Sequence, residues 1–239
     1  MQQNILITGV SSGIGHGLLN HYLSNADYHV YAVSRRSVAT RSERFHFASL
    51  DIGKLDEIEE TITSLLKGVN SLELVVLNAG VLPPFGDLKD TAMADINDTM
   101  QVNVWANKVL LDCLLAAVPK IKQVIGISSG ASQSGNRGWN AYGISKAALN
   151  MLLALYAAEN PSIHFTALAP GLIDTAMQTY INQLEPLDIY PTLKRLQSAR
   201  NTPDMHSPEE AAPRLAQAFK QVLSLPSGQY VDVRHLAHK

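Results

Sequence analysis

Hydrophobic residues of this 239-residue chain fall into short apolar runs that alternate with longer segments of helical period. Short apolar runs bounded by polar or turn residues predict strands, and apolar residues recurring every three to four positions predict helices. The predicted strands span residues 4–7, 29–33, 44–48, 73–77, 123–128, 163–168 and 229–233. The predicted helices span residues 14–24, 54–66, 91–118, 141–158 and 208–223.

The order of these elements predicts the fold class. Strands that alternate with helices at this spacing form a parallel sheet, and nearly all-apolar strands indicate that helices cover both of its faces. We therefore expect an α/β protein with a doubly wound parallel sheet of about seven strands. Since no repeat or Pro/Gly-rich linker divides the chain, residues 1–239 are predicted to form a single domain.

One segment interrupts the alternation. Residues 174–207 have no clean period, and a loop this long in a compact domain is usually functional or disordered. Its many apolar residues argue against plain disorder. We interpret the segment as a mobile lid over a site, with a structural excursion as the alternative.

Composition and charge limit the classes of partner. The formal net charge of -2 gives no broad electrostatic footprint for nucleic acid or an anionic membrane. No apolar segment approaches the length of about 20 residues that a membrane span needs. Cys113 is the only cysteine, and the histidines show no metal-ligand spacing. We therefore expect a soluble cytoplasmic protein without a disulfide or a catalytic metal.

A glycine-rich loop follows the first predicted strand and opens the first predicted helix. Glycines there permit a tight turn and let a pyrophosphate approach the backbone, while the helix directs its first amides at the phosphates. The position of the loop favours dinucleotide binding over an ordinary structural turn. The residues predicted to contact the dinucleotide are Gly9, Ser11, Ser12, Gly13, Ile14 and Gly15.

The end of the second predicted strand indicates which dinucleotide binds. A carboxylate there would accept hydrogen bonds from the adenosine ribose of NAD, but the sequence has Ser34, Arg35 and Arg36. A guanidinium group holds a 2′-phosphate in a bidentate fork, so these residues predict NADP(H), with Arg35 as the main contact. The alternative is a solvated basic turn. Asp51 and Ile52, after the third strand, are candidates for the adenine edge.

Tyr142 and Lys146 are four residues apart on a predicted helix and therefore share one face. A free phenol has a pKa of about 10, which suits proton transfer poorly at neutral pH. A nearby ammonium favours the phenolate, so we expect Lys146 to lower the pKa of Tyr142 and make it a usable acid or base. By itself, such a pair is more often a surface contact.

The motifs around this pair resemble, in order, those of the short-chain dehydrogenase/reductase family over nearly the whole chain. The resemblance implies a Rossmann-type fold, a nicotinamide cofactor and a catalytic set in which Ser129 holds the carbonyl oxygen against Tyr142. It also implies that Lys146 binds the nicotinamide ribose and that Asn103 supports a water-linked proton relay to Lys146. Further cofactor contacts that the resemblance implies are Asn78, Ala79, Gly80, Pro170, Gly171, Ile173 and Thr175.

The sequence around Ser129 and Tyr142 resembles that of the benzil-reductase and sepiapterin-reductase-like branch of the family. This resemblance implies a dicarbonyl or bulky carbonyl substrate. Trp139 and Met177 are the candidate substrate contacts beside Ser129 and Tyr142, with core packing as an equal alternative for Trp139. The resemblance also implies a homodimer formed through the two long helices, with a tetramer as the alternative. The tail departs from the family pattern of an acidic residue and two glycines, because Val231, Asp232 and Val233 are followed by Arg234 and His235.

These observations predict an NADPH-dependent reductase of a ketone or dicarbonyl compound, with Tyr142 as the proton donor. An NAD-linked alcohol dehydrogenase is the second hypothesis, and the arginine pair after the second strand argues against it. A non-catalytic NADP-sensing regulator is the third. Retention of both Tyr142 and Lys146 argues against that reading.

Overall fold

The computed structural model describes residues 3–185 and 188–236, which form an α/β fold around one central sheet. The strands are β1 (Gln3–Thr8), β2 (Tyr28–Ser34), β3 (Phe45–Ser49), β4 (Ser71–Leu72), β5 (Leu74–Leu77), β6 (Lys120–Ile121), β7 (Gln123–Ile127), β8 (His164–Ala169) and β9 (Gln229–Asp232). Seven of them make a fully parallel sheet in the order β3-β2-β1-β5-β7-β8-β9. The short strands β4 and β6 pair separately.

Helices flank the sheet on both faces. They are α1 (Gly13–Leu23), α2 (Leu55–Leu65), α3 (Met93–Met100), α4 (Ala106–Ala117), α5 (Ala131–Ser134), α6 (Asn140–Glu159), α7 (Ala176–Gln183), α8 (Pro191–Ala199) and α9 (Pro208–Val222). Leu88–Asp90 and Val233–His235 are 3₁₀ turns. Within the described ranges, the helices are all too short or too polar to cross a bilayer.

Alternating strand residues build two separate cores. Leu6, Val75 and Val124 pack into the core beneath α2, α4 and α6. Ile5 and Ile125 point to the opposite face and pack beneath α1 and α9. Because side chains along a strand alternate between faces, a strand covered on both sides must be apolar at nearly every position. The predicted α/β class with helices on both faces is confirmed.

The seven long predicted strands lie within one residue of the observed ones, but the predicted helix over residues 91–118 differs. It divides into α3 and α4, joined by a turn of π-helix at Gln101–Trp105. Such turns widen a helix locally and often occur at functional sites. This one carries Asn103, whose side chain bonds the backbone of Val81 instead of pointing to solvent.

The segment 174–207 folds as more than an aperiodic loop. It contains α7 and α8, whose residues Ile181, Leu193 and Leu196 form a small third core with Phe85 and Trp139. Each helix is short, so its period was too weak to be recognised from the sequence. Residues 186–187 of the predicted lid lie outside the described residues.

Strand order places a crevice at one point of the sheet edge. The chain builds β1, β2 and β3 in one direction and then returns to place β5 on the other side of β1. Loops leaving β1 and β5 therefore diverge, and ligands bind at this switch point in open α/β sheets. Gly9 follows β1 and Asn78 follows β5, so both lie at the crevice.

Candidate active site

A cleft of about 510 Å³ runs along the carboxyl ends of the parallel strands. It brings together nearly all of the residues predicted from the sequence. Those lining it are Gly9, Ser11, Ser12, Gly13, Ile14, Ser34, Arg35, Arg36, Asp51, Ile52, Asn78, Ala79, Gly80, Ser129, Trp139, Tyr142, Lys146, Pro170, Gly171, Ile173, Thr175 and Met177. Gly15 and Asn103 do not line it.

The glycine loop leaves β1 in a conformation that side chains disfavour. Gly9 and Gly13 have φ values of +77° and +59°, in the left-handed region that glycine adopts without strain. A Cβ on Gly15 would lie 2.3 Å from the carbonyl oxygen of Gly9 and 2.6 Å from Nδ2 of Asn78. Gly15 thus allows α1 to begin against the loop.

Asn78 and Thr8 tie the two diverging strands together. Asn78 donates from Nδ2 to the carbonyl oxygens of Thr8 and Gly9, at 2.9 and 3.1 Å. The Thr8 hydroxyl accepts hydrogen bonds of 3.0 Å from the backbone amides of Asn78 and Ala79. These bonds fix the floor of the cleft between β1 and β5.

Two arginines occupy the rim of the cleft beyond β2. Arg35 and Arg36 are exposed, and neither forms an ion pair within residues 3–185 and 188–236. The Ser34 hydroxyl donates a 2.7 Å hydrogen bond to the carbonyl oxygen of Arg36, which fixes the turn that presents both guanidinium groups. Asp51 accepts from the backbone amide of Gly53 and faces the same end of the cleft.

At the other end of the cleft, Tyr142 and Ser129 both line the wall, and the Ser129 hydroxyl lies close enough to Tyr142 to lower its pKa. Tyr142 and Lys146 are both buried on α6, one helical turn apart. The Lys146 Nζ lies 5.7 Å from the centre of the Tyr142 ring and donates a 2.8 Å hydrogen bond to the carbonyl oxygen of Ile127. A phenol, a hydroxyl and an ammonium therefore converge where β7 ends and α6 begins.

The pKa values at this end differ from the sequence-based expectation. Burial raises the pKa of Tyr142 to about 12, outweighing the opposite effect of the Ser129 hydroxyl. Burial also lowers the pKa of Lys146 to about 8. The expectation that the pKa of Tyr142 lies below its usual value is thus wrong for this arrangement, because desolvation dominates.

Asn103 lies behind the cleft wall and is fully buried. Its Oδ1 accepts from the amide of Val81 at 2.8 Å, and its Nδ2 donates to the Val81 carbonyl oxygen at 3.0 Å and to the Ser145 hydroxyl at 2.9 Å. These bonds join the loop after β5 to the helix that carries Tyr142 and Lys146. Asn103 makes no direct hydrogen bond to Lys146.

A hydrogen-bond network that the sequence analysis did not identify positions Ser129. The Ser132 hydroxyl donates to the carbonyl oxygen of Ser129 at 2.7 Å and accepts from Nδ2 of Asn150 at 2.9 Å. Asn150 in turn accepts a 2.6 Å hydrogen bond from the Ser128 hydroxyl. No spacing in the sequence signals this set, since Asn150 is two helical turns beyond Tyr142.

Several aromatic side chains pack together at the catalytic end of the cleft. Trp139 packs edge-on against Phe85 with ring centres 5.3 Å apart, and it lies 5.7 Å from the ring of Tyr142. Phe85 also meets Tyr190 edge-on at 5.1 Å. Trp139 therefore both packs in the third core and lines the cleft beside Met177.

Residues after β8 cover the glycine loop. Thr175 caps α7 by accepting from the amide of Gln178, and a Cβ on Gly13 would lie 3.3 Å from its Cγ2. Ile173 is buried and bridges to His206, which fixes the start of the segment. The cleft is thereby bounded by the glycine loop on one side and by the first turn of α7 on the other.

Comparisons with known proteins agree with this geometry. A family model described as short chain dehydrogenase matches residues 3–186. The chain is 32% identical to an (S)-benzoin-forming benzil reductase of Saccharomyces cerevisiae, over 97% of this chain and 95% of that protein. It is 26% identical to a benzil reductase of Bacillus subtilis, over 96% of this chain and 97% of that protein. The crystal structure of the KRED1-Pglu enzyme superposes with a TM-score of 0.87 at 29% identity, covering 96% of this chain and 100% of that one.

Proposed function

This chain belongs to the short-chain dehydrogenase family, and on that premise we propose that it reduces a ketone or dicarbonyl compound to an alcohol with NADPH. Membership makes the protein an oxidoreductase, and its benzil-reductase relatives support carbonyl reduction. The observation that carries the proposal is the convergence of Ser129, Tyr142 and the buried Lys146 in the cleft that also holds the glycine loop.

The cleft fits a dinucleotide. Its glycine loop holds Gly9 and Gly13 in left-handed conformations, and a Cβ on Gly13 would narrow the gap to Thr175. The first amides of α1 face the same space, which favours an anionic pyrophosphate. Lys146 lines the catalytic end and would hold the nicotinamide ribose. When bound, the nicotinamide supplies the hydride that adds to the carbonyl carbon.

Ser129 and Tyr142 supply the polar contacts for that reaction. Both hydroxyls donate hydrogen bonds to the carbonyl oxygen, which stabilises the negative charge developing there. Tyr142 then transfers its phenolic proton to the alkoxide oxygen. A pKa of about 12 keeps Tyr142 protonated at neutral pH, as a proton donor requires, and the adjacent Lys146 ammonium stabilises the phenolate as it forms.

The preference for NADPH rests on Arg35 and Arg36. Their guanidinium groups reach the cleft at the end of β2 and lack ion-pair partners in the described part of the chain. A 2′-phosphate would supply the missing negative charge through bidentate hydrogen bonds. Ser34 in place of an acid removes the repulsion that a carboxylate would exert on that phosphate.

We further propose a homodimer formed through α4 and α6. Ile144, Met151 and Leu155 are 45%, 61% and 54% exposed, and their spacing of seven and four residues places them on one face of α6. Trp105, directly before α4, is 49% exposed. Large apolar side chains grouped on a helix surface mark a surface that packs against a partner.

The direct test measures NADPH oxidation at 340 nm with a panel of aryl diketones, monoketones and quinones, each repeated with NADH. We expect turnover of at least one diketone and a higher kcat/KM with NADPH. A clear preference for NADH would contradict the assignment of Arg35. Absence of turnover across the panel, with NADPH bound, would contradict carbonyl reduction.

A further inference from the structure

The tail that departs from the family pattern builds a rigid guanidinium at the catalytic end of the cleft. Asp232, the last residue of β9, is buried, and its carboxylate accepts from Arg234 Nε at 2.9 Å and from Nη2 at 2.5 Å. The backbone amide of Arg234 donates a third hydrogen bond of 3.0 Å to the same carboxylate. The guanidinium is therefore held in one orientation.

This guanidinium lies next to the residues proposed for catalysis. Arg234 lines the same cleft as Ser129 and Tyr142, and its Nη2 is 3.8 Å from the position that a Cβ on Gly130 would take. Gly130 directly follows Ser129. A guanidinium has five N–H donors, and Asp232 accepts from one on Nε and one on Nη2, so both donors on Nη1 and one on Nη2 remain for a second anion.

A second arginine reaches this end of the cleft from α8. Arg195 is exposed, and within the described ranges it forms no ion pair. Arg195 and Arg234 both also line an adjoining cleft of about 1000 Å³, which shares Pro170, Gly171 and Leu172 with the first.

The charge at this end is not balanced. Among the residues that the structure describes, the acids that line the first cleft are Asp51, which lies at the opposite end near Arg35, and Asp232, which Arg234 already neutralises. Within the same residues, the adjoining cleft has one acid, Asp204, against Arg195 and Arg214. Arg195 therefore leaves an excess positive charge beside an apolar wall. Positive charge in a cleft with low-dielectric walls attracts an anionic substrate group.

We propose that Arg195 and Arg234 form a carboxylate subsite, and that the physiological substrates are oxo acids with an aromatic or other bulky apolar body. This inference rests on the carbonyl reduction proposed above. The planar forks of the two guanidinium groups match a planar carboxylate, while Trp139 and Met177, which line the cleft, take the apolar body. The carbonyl then lies between these groups, at Ser129 and Tyr142.

The experiment compares aryl oxo acids, with the carboxylate one to three carbons from the carbonyl, against their methyl esters. Acid and ester share the reacting carbonyl and the apolar body, so their kcat/KM ratio isolates the carboxylate. We expect the best oxo acid to exceed its ester by roughly tenfold or more, the range of a hydrogen bond to a charged group. Arg195→Gln should reduce that ratio towards one.

Two further variants separate charge recognition from folding. Arg234→Lys keeps a cation beside the buried Asp232 and should lower the ratio by removing the fork. Lys220→Gln removes an exposed cation that lines neither cleft and should leave the ratio unchanged.

The outcomes distinguish this inference from the proposed function. Turnover of the esters with an acid-to-ester ratio near one would overturn the carboxylate subsite and leave carbonyl reduction intact. If neither compound is reduced while a diketone is, the oxo-acid substrate is overturned and carbonyl reduction stands. If the diketones, monoketones and quinones are not reduced either, carbonyl reduction is wrong, and the subsite is measured by thermal shift of the NADPH complex. Stabilisation by the acid but not by the ester, abolished in Arg195→Gln, supports the subsite, and equal shifts overturn it.

Discussion

Lys146 donates a 2.8 Å hydrogen bond from its Nζ to the carbonyl oxygen of Ile127, the last residue of β7. The bond holds the buried amine of Lys146 against Ile127, which stands two residues before Ser129 in the chain. Because burial penalises the ammonium form, the pKa of Lys146 falls to about 8. The charge next to Tyr142 therefore changes within an experimentally accessible pH range.

Carbonyl reduction should lose rate as the pH rises through about 8. Below that pH Lys146 is an ammonium that stabilises the forming phenolate, and above it Lys146 is neutral. Tyr142, with a pKa raised to about 12, stays protonated over the same range. The kcat for reduction should therefore show one descending limb with a midpoint near 8. The Lys146→Met variant should be slow and lack this limb, whereas a flat profile to pH 10 in the parent protein would contradict the role of Lys146.

Removing the phenolic hydroxyl should abolish catalysis and spare cofactor binding. Tyr142→Phe keeps the ring that packs against Trp139 but deletes the proton donor. We expect kcat to fall by a factor of roughly 100 or more, typical of a positioned general acid. Fluorescence titration with NADPH should give a Kd within about twofold of the parent value. Ser132→Ala, which loses a bond to the Ser129 carbonyl oxygen, should give a smaller decrease in kcat.

Arg35 should determine the cofactor preference. Arg35→Ala removes a guanidinium without an ion-pair partner in the described residues, so folding should change little. Loss of a charge-assisted hydrogen bond should raise the KM for NADPH by roughly ten- to a hundredfold and leave that for NADH unchanged. Arg41→Ala, an exposed arginine that does not line the cleft, is the matched control. A similar effect of both substitutions would show that general charge, and not Arg35, selects NADPH.

Gly15 should tolerate no side chain, although it does not line the cleft. A Cβ there would meet the Gly9 carbonyl oxygen at 2.3 Å, a backbone atom that moves only with the glycine loop. Gly15→Ala should lower the free energy of unfolding by about 1 to 3 kcal/mol and weaken NADPH binding. Urea denaturation and a binding titration measure the two effects. Gly86→Ala, where a Cβ meets nothing within 4 Å, should change neither quantity.

An acidic residue on the exposed face of α6 should break the proposed homodimer. Met151 is 61% exposed, and burying a glutamate between two copies of this helix would be costly. Met151→Glu should shift the solution mass measured by light scattering from dimer to monomer. Ile189→Glu, at an exposed apolar residue outside α4 and α6, should leave the mass unchanged. A monomeric parent protein would contradict the homodimer outright.

The sequence by itself determined the architecture and the residue types of the site. The alternation of apolar runs and helical periods reflects local geometry, so it located seven strands within one residue and predicted the doubly wound sheet. The glycine loop, the Tyr142–Lys146 spacing and the arginines after β2 are likewise local signals, because each lies at a strand end or within one helical turn. Their order along the chain predicted that they meet in one cleft.

Tertiary structure alone decided the electrostatics of the site and the contacts that Asn103 and Arg234 make around it. The pKa of Tyr142 depends on how completely the surrounding elements remove water, which no spacing encodes, and burial outweighed the expected effect of Lys146. Asn103 bonds Val81 because a π-turn interrupts a helix that the periodicity predicted as continuous. Arg234 reaches the catalytic end only because β9 joins the sheet beside β8. Contacts between segments distant in the chain depend on packing, and packing is a property of the folded molecule as a whole.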